Sequence, residues 1–235
     1  MSRPLVSVLT PTYNRRRFIP FLIETFKAQT YPQDRMEWII LDDGTDKVKD
    51  LFEASGLKNV RYYDEDVKLN IGAKRNKLND LAKGDICVCM DDDDYYLPDR
   101  VAHAVNRLNS QPAKKICGST ELFMYYSDVK KIYKIGPYNP NHATNGTMAY
   151  RREYTKTHRY DETVTHAEET SFLNNYKEPM IQLDPAKVML VMSHTENTFD
   201  KKKLREQESP VFRLTAMKIN SFIKDKKLRE FYADA

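Results

Sequence analysis

Four consecutive carboxylates, Asp91 to Asp94, stand where the apolar run Ile86-Cys87-Val88-Cys89-Met90 ends. Like charges about 4 Å apart repel by roughly 1 kcal/mol in water, and by about 4 kcal/mol at an effective dielectric of 20. A strand end that gathers them needs a positive partner. A hard divalent cation, held by carboxylate oxygens and carrying phosphates in its other positions, supplies one; a solvated acidic turn is the plain alternative. The chain resumes at once in Tyr95-Tyr96-Leu97-Pro98-Asp99-Arg100, where Pro98 suits the opening of a helix.

Two further segments carry the same kind of promise. One is Thr10-Pro11-Thr12-Tyr13-Asn14-Arg15, and the other is Asp42-Asp43-Gly44. Each follows an apolar run, and in an open α/β sheet ligands collect at the carboxyl ends of strands. A ring with polar edges can stack on Tyr13 and donate an N–H to Asp43. A diphosphate then lies toward a metal on the aspartates, with Lys74 or Arg75 assisting. No glycine-rich dinucleotide fingerprint follows the first run, and the glycine-lysine phosphate loop is absent. Tyr96 stands where a calcium-binding loop requires glycine, so that site is disfavoured.

These residues need a scaffold, and the hydrophobic pattern describes one. Short apolar runs at 5–9, 37–41, 59–63 and 85–90 read as strands. Helical patterns fall between them at 18–29, 46–54 and 72–82, the last closed by Gly84, with another from Pro98 to Leu108. Such alternation predicts a parallel sheet with helices on both faces. Strands are expected at 116–126, 131–135 and 187–193, and a helix around 167–176. A last helix is expected over 209–231, placing Phe212, Ala216, Ile219 and Phe222 or Ile223 on one face. That helix, rich in lysine, suits covering its own domain, an anionic membrane surface or a partner domain.

Composition narrows the class. The 38 basic and 34 acidic side chains leave +4, too little for a general nucleic-acid binder. The three cysteines form no CxxC pair and read as reduced core residues, which excludes a zinc ribbon. With no signal-peptide pattern and no apolar stretch of 18 residues, a soluble cytoplasmic protein is expected.

The ordered segments Val6-Ser7-Val8, Pro11 to Arg15, Gln29-Thr30-Tyr31-Pro32, Ile39 to Thr45, Asn70 to Asn76 and Met90 to Arg100 resemble a known family. The chain looks like a GT-A glycosyltransferase of the large inverting family 2. The resemblance implies a GT-A catalytic domain over 1–200, with a nucleotide-binding half at 1–110 and an acceptor-binding half at 111–200. Residues 201–235 would be a helical extension. It implies that Tyr13 stacks on the base, with Pro11, Thr12, Asp42 and Asp43 around it, and that Arg15, Lys74 and Arg75 lie near the base and phosphates.

Asp91-Asp92-Asp93 fills the family's DXD slot. Asp93 falls where the direct Mn2+ or Mg2+ ligand lies, and Asp91 faces the ribose or a metal-bound water. His194, within His194-Thr195-Glu196-Asn197, would contact metal or diphosphate. Asn145 to Arg152 resembles the strand beneath the donor sugar. Glu169, in place of the family's aspartate, would be the catalytic base, with Glu168 as the other candidate. The implied reaction moves one sugar from a nucleoside-diphosphate sugar, UDP favoured, to a hydroxyl of an oligosaccharide or glycoprotein glycan, with inversion. A partner transferase domain is compatible with this. Two other readings are a non-catalytic sugar-nucleotide or glycan-binding protein and a sugar-1-phosphate nucleotidyltransferase. The second usually carries a glycine-rich loop after strand one, which is lacking here.

Overall fold

The computed structural model describes residues 3–194, 197, 201, 205 and 209–234. Its first half runs β1 (Val6–Thr12), α1 (Ile19–Lys27), β2 (Met36–Asp42), α2 (Lys49–Ala54), β3 (Val60–Asp64), α3 (Ile71–Leu81), β4 (Ile86–Cys89), β5 (Tyr95–Tyr96) and α4 (Arg100–Ser110). The second half adds β6 (Ile116–Gly118), β7 (Leu122–Tyr126), β8 (Lys131–Ile135), β9 (Ala149–Arg151), α5 (Glu169–Phe172), β10 (Ile181–Gln182), β11 (Met189–Ser193), β12 (Phe212–Leu214) and α6 (Lys226–Asp234).

Successive strand residues point to opposite faces, so a run apolar at every position needs cover on both. Val6, Val8, Trp38, Ile40 and Val88 enter one core with Ile19 and Leu22 of α1 and Val101 of α4. Leu9, Ile39, Leu41, Cys87 and Cys89 enter the other, with Leu78 of α3 and Phe172 of α5. All three cysteines are free and buried. Trp38 is fully buried, stacks on Phe26 at 4.2 Å, and donates its indole N–H to Thr10 Oγ1 at 2.9 Å.

These strands form a seven-stranded sheet of order β10-β6-β9-β4-β1-β2-β3. β1 pairs in parallel with both β2 and β4, so the strand order reverses between β1 and β4. Such a reversal opens a crevice beyond the carboxyl ends of the two strands. The Tyr13 segment and the aspartate run flank that crevice.

A second, five-stranded sheet of order β12-β8-β7-β11-β5 packs beside it. The expected single strand over 116–126 is therefore two strands in different sheets, separated after Gly118. A further correction concerns 209–231, where the anticipated helix is replaced by β12, a short 3-10 turn at Ile219–Ser221, and α6. Phe212 pairs with Ile135 across an antiparallel ladder, and sheet pairing overrides local helical spacing there. α6 covers its own domain: Phe231 stacks on Phe21, and Tyr232 is fully buried and donates to the Asp94 carbonyl at 3.2 Å.

The helix expected over 167–176 stops at Phe172, because Asn174, Asn175 and Tyr176 adopt left-handed backbone with φ of 48°, 54° and 59°. Gly84 does not cap α3. A Cβ on it would lie 2.5 Å from the Ser7 backbone nitrogen, so glycine serves a close approach to β1. Among the described residues, no helix is long and apolar enough to cross a membrane.

Gly72 makes a still closer approach, since a Cβ there would meet the Asp161 carbonyl oxygen at 1.9 Å. Gly72→Ala is expected to destabilise by about 1–3 kcal/mol, lowering the melting temperature by several degrees. An unchanged melting temperature would mean that the 160–162 segment yields freely.

Candidate active site

A cavity of about 720 Å³ occupies the crevice, and the candidate residues other than Asp42, Asp43 and His194 line it. Pro11, Thr12, Tyr13 and Arg15 come from the end of β1, Lys74 and Arg75 from α3, and Asp91 to Asp94 from the end of β4. Glu168 and Glu169 enter from the start of α5.

Local chemistry explains these positions. Asn14 takes left-handed backbone at φ 53°, and its Oδ1 accepts from the Thr45 and Asp46 amides at 2.8 and 3.0 Å. That clamp binds the β1 end to the Asp42-Asp43-Gly44 turn. Gln29 accepts from the Val101 amide at 3.1 Å and donates to the Leu97 carbonyl at 3.0 Å, fixing the turn between the aspartates and α4. Asn76 exchanges two 2.9 Å hydrogen bonds with the Tyr160 backbone, which ties α3 to the segment before α5.

Asp42 is spent on structure. Its carboxylate accepts from the Gly44 and Val48 amides at 2.8 and 3.1 Å and from the Tyr62 hydroxyl, and it does not line the cavity. Asp43 is also turned inward, against Lys74 and the Leu69 amide. Tyr13 faces the cavity, with Lys68 Nζ 4.1 Å from its ring centroid.

Arg75 is the hub of the opposite wall. Its Nε donates to Glu168 Oε1 at 2.7 Å and its Nη1 to Asp91 Oδ1 at 3.0 Å. With its amide oriented to donate to the Tyr160 hydroxyl, Asn145 accepts from Arg75 as well, at 2.6 Å. Burial opposes a charge on this guanidinium, but Asp91 and Glu168 outweigh it and hold Arg75 protonated.

The aspartates divide their work. Asp91 belongs to Arg75. Asp94 accepts from the Met192 amide at 2.8 Å, anchoring β11, and burial pushes its carboxyl up. Burial and the adjacent Asp93 charge push Asp92 up likewise. Asp93 goes the other way. Burial acts against its charge, yet the His194 hydrogen bond and the charges of Lys201 and Arg15 hold it below the usual carboxylate range. His194 Nε2 lies 3.3 Å from Asp93 Oδ2, and Asn197 Nδ2 contacts both.

A hard cation that shares a diphosphate needs only one or two protein carboxylates. Asp93, ionised at the cavity wall with an imidazole beside it, fits that need. Asp91 stands apart from the pair, and no three His, Cys, Asp or Glu side chains among the described residues converge on a single point.

Glu169 differs from its neighbour. Glu168 is held by Arg75, whereas the Glu169 carboxyl is engaged by its own backbone N–H and by no other side chain among the described residues. Burial, then the Glu168 charge, push it up to about 7. Sequence reading did not single out Lys201, Thr165 or His166 as cavity residues. Lys201 was visible only as part of a lysine run, and the other two carry no sequence signal.

Solved structures share this architecture. A structure of Staphylococcus aureus TarS, residues 1–349, in complex with UDP-GlcNAc matches with a TM-score of 0.66 at 19% identity, over 82% of this chain and 60% of that one. The mannosyltransferase PcManGT from Pyrobaculum calidifontis, in complex with GDP-Man and Mn2+, matches with a TM-score of 0.67 at 17% identity, over 89% and 67%. The fold is therefore of the GT-A type. The profile of glycosyl transferase family 2 covers residues 7–173, and the chain belongs to that family. An uncharacterized glycosyltransferase of Rickettsia typhi is 32% identical over 123 residues, 49% of this chain and 36% of the relative. The chain spans less than half the length of the curated relatives it matches.

Proposed function

We propose that this chain is the catalytic domain of an inverting glycosyltransferase, moving one sugar from a UDP-sugar to a hydroxyl of a glycan acceptor. Residues 1–110 would hold the nucleotide, and 111–200 the acceptor. The carrying observation is a cavity that joins Tyr13, Lys74 and the aspartate run to Glu169, whose carboxyl no other side chain holds among the described residues.

An acceptor hydroxyl is too weak an acid to attack unaided at neutral pH. Glu169 takes its proton as the oxygen attacks the anomeric carbon. The bond from that carbon to the diphosphate oxygen breaks on the opposite face, and the electron pair leaves with the nucleoside diphosphate. A double displacement needs a second free carboxylate as nucleophile, and Glu168 is occupied by Arg75. Arg75 and Lys201 offer positive charge toward the departing diphosphate. A divalent ion on Asp93, with His194 beside it, would add Lewis-acid stabilisation when bound. The UDP-GlcNAc and the GDP-Man with Mn2+ held by the two structural neighbours support a nucleotide-sugar donor and a divalent ion.

The test is a panel of nucleotide sugars with Mn2+, read by thermal shift and by release of nucleoside diphosphate. A cognate donor at 100 times its Kd should stabilise by about 2.7 kcal/mol, and diphosphate should be released. Stabilisation without release would make the chain a binding protein, and no response to any donor would remove the reading.

A further inference from the structure

Arg100, the first residue of α4, is 0% exposed, yet its guanidinium has no hydrogen-bonded carboxylate among the described residues. Nη2 donates to the Met148 carbonyl at 2.7 Å and reaches the Cys89 and Gly146 carbonyls at 3.4 and 3.5 Å. Nε and Nη1 find no acceptor among the described residues. Burial pushes the pKa of this group down, and a buried charge without a partner lowers stability. Such a group is retained where it serves a site. β4 and β9 run antiparallel as far as Val88 and Ala149, and the Cys89 amide adds a last rung on the Met148 carbonyl at 3.1 Å. The two chains then part around Nη2. One continues through Met90 into the aspartate run, and the other comes from the 3-10 turn Asn145–Thr147. Asp91 on the first branch and Asn145 and Gly146 on the second all line the cavity. The branches stay close, for a Cβ on Gly146 would lie 3.1 Å from Asp91 Oδ2.

We propose that Arg100 is a positioning residue for the donor site, holding the fork between the β4 end and the Asn145–Thr147 turn at one width. The inference rests on the donor-site reading above and names the residue that sets its geometry. The width matters at Arg75. That guanidinium donates to Asp91 at 3.0 Å on one branch and to Asn145 at 2.6 Å on the other. These two acceptors aim the charge that Arg75 presents to a diphosphate. If the fork opens, Arg75 keeps one of them and loses alignment with the other. Arg100 suits the task because a single nitrogen reaches carbonyls on both branches. Its stem is anchored by α4, whose Val101, Ala104 and Leu108 are buried in the core. A methionine in its place fills the interior but donates to neither branch.

Calorimetric titration with UDP in Mn2+, alongside the melting temperature of the nucleotide-free chain, tests this. Arg100→Met should melt at or above the native temperature, because an apolar replacement relieves a buried charge. It should nevertheless bind UDP at least about tenfold more weakly, since a shift of about 1 Å in an aligned group can cost roughly 10²-fold. Asn145→Ala should weaken UDP as well. The double variant should lose less than the product of the two single losses, because both act through Arg75. Arg100→Gln, which keeps a donor of shorter reach, carries the same expectation should the methionine variant fail to fold. Native UDP affinity in a folded variant, or losses that simply multiply, overturns this inference alone. Failure of both variants to fold does the same, since stability would then be what Arg100 supplies. No binding of UDP by the native chain overturns the donor site as well.

Discussion

Glu169→Gln should slow sugar transfer by roughly 10²–10⁴-fold, the contribution of a positioned general base, with nucleotide affinity nearly unchanged. The amide keeps the shape of the side chain and loses only the ability to take a proton. Because the carboxyl is pushed up to about 7 by burial and by Glu168, its basic form fills as pH rises through that value. The native rate should therefore climb about tenfold per pH unit below 7 and level off above it; the variant should lose that rise. Glu168→Gln provides the contrast. It keeps an acceptor for Arg75 Nε but removes the negative charge 2.7 Å away, so its first effect should fall on donor affinity. If Glu168→Gln instead stops transfer with binding intact, the base is the other glutamate.

Asp93→Asn carries the second large effect. The Asp93 carboxyl is held below the usual carboxylate range by His194, Lys201 and Arg15 against the cost of burial. Replacing it with a neutral isostere should cost roughly 10²–10³ in turnover, the size of losing one preorganised electrostatic contact to a leaving group. The dependence of rate on Mn2+ should weaken in parallel. Asp94→Ala should act differently, because Asp94 Oδ1 accepts from the Met192 amide and the loss of that acceptor is felt as stability. Full metal-dependent activity in the Asp93 variant would take that residue out of the metal role.

What the sequence made legible follows from range. β1, β2 and β4 are apolar at nearly every position, and each closes in residues that chemistry favours at strand ends, so the sheet and the crevice could be placed from local pattern. The second sheet could not. β5 finds β11 across some ninety residues, through Leu190 opposite Tyr95, and nothing near Tyr95 announces a strand. The chain from 209 onward has helical spacing, yet Phe212 is worth more paired with Ile135 than on a free helix.

The site shows the same division. Tyr13, Arg75, the aspartates and Glu169 were foreseen, and the fold brings them to one cavity. The roles within the Asp42-Asp43 pair were not. Adjacent strand residues point to opposite sides, and only the placement of Tyr62, Val48, Leu69 and Lys74 shows that both carboxylates are already engaged. The separation of Asp91 from Asp93 is likewise invisible in a run of identical letters. It comes from Arg75 on one side and His194 on the other.

Crystals of the chain grown with UDP and Mn2+, measured at the manganese absorption edge, probe the acidic crevice most directly. An anomalous peak beside the Asp93 carboxylate, with the diphosphate against it and uracil over Tyr13, is the expected result. Manganese elsewhere, or nucleotide lodged outside the cavity, would contradict it.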